Sequence, residues 1–329
     1  MNNRLTKVKK TARELVAGLE GKGVKFNLIS MQEAEIYFLE KNNYLRTAVY
    51  RQIFDKHQSG LDGQIGKYIH LDFKYFMELS TIDMNLRSLF LKMSIDIEHT
   101  LKVKLIAEIE QNEKEDGYQI VELFLNKNPD VLKNIGYKMN SRYVGSLIQS
   151  YFDFDDNGQI IFDCPAWVLV EILEFNSFIK FLLFYHNFYQ TGKKTKLPRK
   201  SIMHSVRQIR NASAHNNCIF YNLRPNPPRK GNVKDKTKTV ASGELHQFVA
   251  KMEGISKETR DRRLSASSIL EIVSLLYTYD VVAPENMKKR RYPELISLIS
   301  DTKDTHCYRD NEIIKSSIDF LQKVIDNLV

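Results

Sequence analysis

The sequence predicts an all-α protein, and three observations lead there. Apolar residues recur three and four apart over long stretches, the spacing of one buried helix face. Prolines stand where such stretches begin. Strand signals are confined to one short segment, near 152–163. With 329 residues, 43% of them hydrophobic, the chain can bury a large core.

The elements follow in order. A short helix is predicted over 31–41, and "NYLRTAVYRQIF" (43–54) continues after a break. Ile82, Leu86, Phe90, Met93, Ile97, Leu101 and Leu105 make one long stripe. They predict a helix beginning at Asp72 or Asp83 and running to about Glu110. In "FDFDDNGQIIFD" (152–163), Asn157-Gly158 between alternating apolar arms is a hairpin signature. Pro165 suits the first turn of a helix through Phe184, and Pro198 that of a helix through about Asn217. Ile269, Ile272, Val273 and Leu276 mark a further helix. Ile314, Ile318, Leu321, Ile325 and Leu328 mark the last, with Asp310 or Asn311 as its N-cap.

This divides the chain into an N-terminal helical region (1–70), a helical core (71–221), a basic Pro-rich loop (222–244) and C-terminal helices completing the bundle (245–329). Between 224 and 238 the loop carries Arg224, Arg229, Lys230, Lys234, Lys236 and Lys238 against a lone Asp235, with Pro225, Pro227 and Pro228. It cannot bury enough apolar surface to fold alone. It reads equally as a solvated connector or as an arm for phosphates.

Composition narrows the function. A net charge of +9 and a pI near 9.2 suit a polyanionic partner. Cys164, Cys218 and Cys307 are far apart and form no CxxC pair, so neither a zinc cluster nor a disulfide framework is expected. Free thiols fit a reducing cytoplasm. The basic N-terminus lacks the apolar centre of a signal peptide. The most apolar run, Ala166–Phe184, holds Glu171, Glu174 and Lys180. At about 2.5–3.5 kcal/mol for each charge near a bilayer centre, a buried core helix is favoured over a membrane span. No Gly-rich phosphate loop or carboxylate cluster is present, so no cofactor or metal is expected.

One segment concentrates unusual chemistry. Around "RQIRNASAHNNCIFYN" (207–222), on the helix predicted over 199–217, His204, Arg207, Asn211 and His215 fall at helical spacing into a polar stripe, opposite Ile202, Val206 and Ile209. Arg210 lies to one side, with a side chain long enough to curl back. Arg199 with His204, and Arg51 with His57, offer similar pairs, but only Arg210 is followed directly by an Asn. From residue types alone, the cluster reads as a polar helix interface or as a site for phosphate chemistry.

Four blocks bear on the choice: "NNYLRTAVYRQIF" (42–54), "DMNLRSLFLKMSIDIEHTLKVKLIAEI" (83–109), "CPAWVLVEILEFNSFIKFLL" (164–183) and "IRNASAHNNCIFYN" (209–222). In order and spacing they resemble the Abi family of bacterial abortive-infection proteins, the AbiD/AbiF-like group. The last block resembles the R-N-x-x-x-H signature of the HEPN superfamily. The resemblance implies a HEPN-like helical bundle, a homodimer, and a metal-independent endoribonuclease acting as a growth-arresting toxin. Its catalytic residues would be Arg210, Asn211 and His215, with RNA contacts from Arg207, His204 and the basic loop. A regulatory RNA or an antitoxin would be its other partners. The alternative is a non-catalytic RNA-binding or scaffold protein on the same fold. A role as target of a nucleotidyltransferase fits less well, because that type carries a Tyr two residues after the His and position 217 is Asn. Glu98, beside His99, is a candidate for an acidic partner on a neighbouring helix, or an ordinary exposed carboxylate.

Overall fold

The computed structural model describes residues 8–59, 63–138, 141–142, 145–154, 156, 160–190, 197–226 and 241–329. The helices are α1 (Ala12–Glu20), α2 (Met31–Ile36), α3 (Tyr44–Tyr50), α4 (Phe73–Glu110), α5 (Gln119–Lys127), α6 (Pro129–Gly136), α7 (Gly145–Gln149) and α8 (Ala166–Ile172). They continue with α9 (Phe175–Phe188), α10 (Lys200–Ala214), α11 (Gly243–Ala250), α12 (Lys257–Arg263), α13 (Ser267–Val282), α14 (Glu285–Thr302), α15 (His306–Asp310) and α16 (Glu312–Asp326). The fold is all-α, as the apolar spacing predicts. The hairpin is present: β1 (Phe152–Phe154) pairs antiparallel with β2 (Ile160–Phe162), Phe152 opposite Phe162. Its turn, Asn157-Gly158, lies outside the described residues.

The 38-residue α4 is the axis of the molecule. Of the two aspartates that could have opened it, Asp72 is the cap. Its carboxylate accepts the amide of Lys74 at 2.9 Å, and also that of Asn27 at 2.8 Å, so one side chain starts the helix and ties the N-terminal region to it. Asp83 lies inside the helix and fully buried. Against α4 pack α10, α13 and α14, and α10 packs on α13. α13 is enclosed on nearly every side, burying Ile269, Ile272, Val273, Leu276 and Tyr279. The helices after 245 therefore share the core of α4 and α10. Cys164, Cys218 and Cys307 are free and buried. Among the described residues no helix is long and apolar enough to cross a membrane.

Three boundaries differ from the sequence reading. The helix expected through Phe184 is two helices, α8 and α9, broken where Leu173 and Glu174 adopt extended backbone. Val168, Leu169, Val170, Ile172, Leu173 and Phe175 are all buried, which one straight helix with a single inward stripe cannot achieve. Pro165 and Pro198 stand just outside their helices, before Ala166 and Arg199, rather than in the first turn. The helix expected to reach Asn217 ends at Ala214, for a reason that belongs to the site. The prolines also hid α14, which begins after Pro284 and carries Pro293 in its interior.

Candidate active site

The polar stripe lies on α10. Its inner face, Ile202, Val206, Ile209 and Ser213, is buried against α4 and α13. That packing fixes the outer face, where His204, Gln208 and His215 are exposed and Asn211 is half-buried. From His204 to His215 is eleven residues, a rise of roughly 16 Å at 1.5 Å per residue, the span of a few nucleotides.

α10 stops at a specific place. Asn216 takes left-handed backbone with φ 55°. The amide of Asn217 then reaches the carbonyl of Ala212 at 2.8 Å, and that of Asn216 reaches Ser213 at 3.4 Å. These two bonds are the Schellman pattern, with Asn in the position that Gly usually holds. His215 is thereby the C-cap, at the exposed end of the helix. Its side chain has no hydrogen bond or ion pair among the described residues.

A buried pair on α4 holds the chain after that turn. One Asp83 oxygen accepts the amides of Ile219 and Phe220, at 2.9 and 3.0 Å. The other is bonded to Arg87, one turn along α4. Burial pushes the Asp83 carboxyl up to about 6, while the amides and Arg87 pull it down. Asp83 thus anchors the segment leaving the signature. Glu98, which the sequence offers as an acidic partner or as an ordinary exposed carboxylate, is half-buried and pairs with Lys102 on its own helix at 3.3 Å.

Arg210 and Asn211 are joined. Arg210 donates from Nη1 to Asn211 Oδ1 at 3.2 Å, so the long side chain curls back. With its oxygen taken, Asn211 has its Nδ2 left to donate. Arg210 Nε is buried and has no hydrogen-bond partner among the described residues. Among the described residues, Arg46, Lys200, Arg207 and Arg210 form no ion pair. Cations held near one helix with no carboxylate to neutralise them suit an anionic ligand.

His204 differs from His215. Its Nδ1 faces the Arg207 guanidinium at 3.1 Å, a group that can only donate, so His204 accepts there as a neutral ring. Burial, then Arg207 and Lys200, lowers its pKa. Arg207 also donates to the side-chain oxygen of Asn176. Arg224 is engaged away from the stripe, donating to the carbonyls of Gln52 and Ile53 at 2.8 Å and pairing with Asp55 at 2.7 Å. Arg229, Lys230, Lys234, Lys236 and Lys238 lie outside the described residues.

Two grooves flank the stripe and share His204. One, of about 740 Å³, is basic, with Lys180, Lys200 and Arg207 beside Asn176. The other, of about 650 Å³, runs between α3, α10 and the start of α13, and holds Arg46, Asn211, Tyr221 and Glu271. Asp83 and Glu271 are the residues sequence reasoning passed over. A carboxylate at a core-facing position with Arg four residues on was the available sign of the first. Nothing local marks the second.

A family model described as Abi-like protein matches residues 37–221, more than half of the chain. The matched part holds the long axis helix, the Asp83 anchor and the whole signature, and stops at Tyr221. No curated protein and no solved structure matches.

Proposed function

The chain belongs to the Abi-like protein family, and from that premise we propose that it acts in abortive infection as an endoribonuclease that needs no metal. The observation that carries the reading is the set at the end of α10, with Arg210 and Asn211 half-buried and joined and His215 exposed, on a helix whose Lys200, Arg207 and Arg210 form no ion pair among the described residues. That set supports reading the site as HEPN-type.

RNA brings its own nucleophile. The 2′-oxygen attacks phosphorus and its proton passes to a base. The bond from phosphorus to the 5′-oxygen breaks, and that oxygen takes up a proton. The products are a 2′,3′-cyclic phosphate and a 5′-hydroxyl. His215 is open to solvent at the end of α10 and carries an imidazole, which can accept or donate a proton, so it suits a proton transfer. His204, held neutral as an acceptor, suits one less. Arg210 offers fixed charge to the phosphorane oxygens. Asn211 offers its Nδ2 to the same group. One imidazole serves one transfer, and a second copy of the chain would supply another across a two-fold axis. The basic groove gives the strand a path to the site. In the cell such an activity would arrest growth, and a protein or RNA partner would restrain it.

The experiment is incubation of single-stranded RNA in EDTA, with mass spectrometry of the ends. Cleavage is expected, leaving cyclic phosphate and 5′-hydroxyl termini. Cleavage only on addition of Mg²⁺ or Mn²⁺, or 5′-phosphate ends, rejects the mechanism. In the same preparation light scattering should return twice the 38.4 kDa chain mass. A fully active monomer would remove the two-histidine step.

A further inference from the structure

The groove on the α3 side holds a carboxylate with an unusual setting. Glu271 sits on α13, beyond the matched region, yet it faces the same space as Asn211. One of its oxygens accepts the Tyr221 hydroxyl at 2.9 Å. Among the described residues its other oxygen takes no donor, and no cation pairs with the group. A half-buried carboxylate with one neutral partner lowers stability. Burial pushes it up to about 7, opposed only by the Tyr221 hydrogen bond. Such a group lining a groove, with one oxygen left to accept, is a candidate binding position.

The rest of the groove describes its ligand. Leu45, 78% exposed, and Val49 give apolar walls along α3. Arg46 and Asn211 bring donors. A space with apolar walls, a carboxylate acceptor and donor side chains on its lining fits a flat heterocycle read along its hydrogen-bonding edge. The carboxylate then chooses among bases. Guanine presents N1–H and N2–H side by side, one for each oxygen. Adenine and cytosine place a ring acceptor next to their single amino group, which repels the second oxygen. Uracil flanks its one N–H with two carbonyls. Guanine's O6 and N7 are acceptors that an arginine fork matches.

We propose that the groove between α3, α10 and α13 is a guanine-binding subsite, in which Glu271 reads N1–H and N2–H and Arg46 the opposite edge, so that RNA is held with a guanine beside Asn211. The proposal rests on the RNA-cleaving reading for its purpose, but its test does not depend on cleavage. Nucleoside 3′-monophosphates have no scissile bond, so the wild-type chain can be titrated with each of the four by calorimetry at pH 8. 3′-GMP is expected to bind at least tenfold more tightly than 3′-AMP, 3′-CMP or 3′-UMP. In Glu271→Gln the 3′-GMP affinity should fall tenfold or more while that for 3′-AMP stays within twofold. A thermal melt of this variant at or above the wild-type temperature would show that the loss is not misfolding. Four nucleotides bound alike, none bound, or an unchanged 3′-GMP affinity in a well-folded Glu271→Gln protein overturns the subsite. Selective 3′-GMP binding by a protein that cuts no RNA would leave the subsite standing and remove the nuclease.

Discussion

The His215→Ala protein is expected to lose RNA cleavage by about 10²–10⁴-fold, the contribution of a positioned acid–base group, and with it any toxicity in cells. Its melting temperature should stay close to wild type. The side chain is exposed at the C-cap of α10 and has no partner among the described residues. The bonds that end the helix run through backbone amides of Asn216 and Asn217 and survive the change. Exposed substitutions of this kind cost within about 0.5 kcal/mol. Arg210→Ala should lose about 10²–10³-fold through the missing charge on the phosphorane. Here the melt matters more, because Arg210 is half-buried and holds Asn211. His57→Ala is the control and should keep wild-type activity, since His57 lies near the Lys56–Tyr68 bridge and lines neither groove. Cleavage assays beside melts decide the matter. A well-folded, active His215→Ala protein removes the nuclease reading. An inactive one that melts far below wild type makes the histidine structural.

The second large effect concerns stability. Asp83→Ala strips the partner from a buried arginine and leaves the amides of Ile219 and Phe220 without their acceptor. Breaking a buried ion pair from one side costs about 3–5 kcal/mol. For a chain of 329 residues, with an unfolding entropy of about 2.1 cal/mol/K per residue, that is roughly 4–7 °C in melting temperature. The segment that Asp83 holds follows the signature directly, so activity should fall as well, even below the melting range. Replacing both partners, Asp83→Leu with Arg87→Met, removes the stranded charge. It should recover much of the lost stability but not the activity, because the two amides remain unpaired. Calorimetry on the three proteins tests this. An Asp83→Ala protein that melts with wild type would mean the pair does not anchor the turn.

These two residues show where the sequence was legible. Arg210, Asn211 and His215 stand out through their resemblance to the R-N-x-x-x-H signature, since the Arg-to-His spacing alone also occurs at Arg199 and His204. Their side of α10 follows from Ile202, Val206 and Ile209 alone. Asp83 was taken as a possible helix start, which is what an aspartate before an apolar run usually is. Only the long-range bonds to Ile219 and Phe220, more than 130 residues on, reveal its work. Glu98 drew attention by standing beside a histidine, yet it is some fifteen residues, roughly 22 Å, down the same helix from Asp83. Glu271 was out of reach for the same reason. Its neighbours in sequence are core residues of α13, and its meaning comes from Tyr221 and the groove. α14 was missed because Pro293 argues against a helix that tertiary packing nevertheless holds.

The proposed chemistry turns on the 2′-hydroxyl of the substrate, and one comparison tests it most directly. An RNA that the wild-type protein cuts at a single position is prepared beside its twin, identical except for a 2′-deoxy sugar on the 5′ side of that bond. Both are incubated in EDTA. The RNA should be cut and the twin should stay whole at that position. A twin cut at the same bond, or an all-ribose RNA that no condition renders cleavable, contradicts the proposed chemistry.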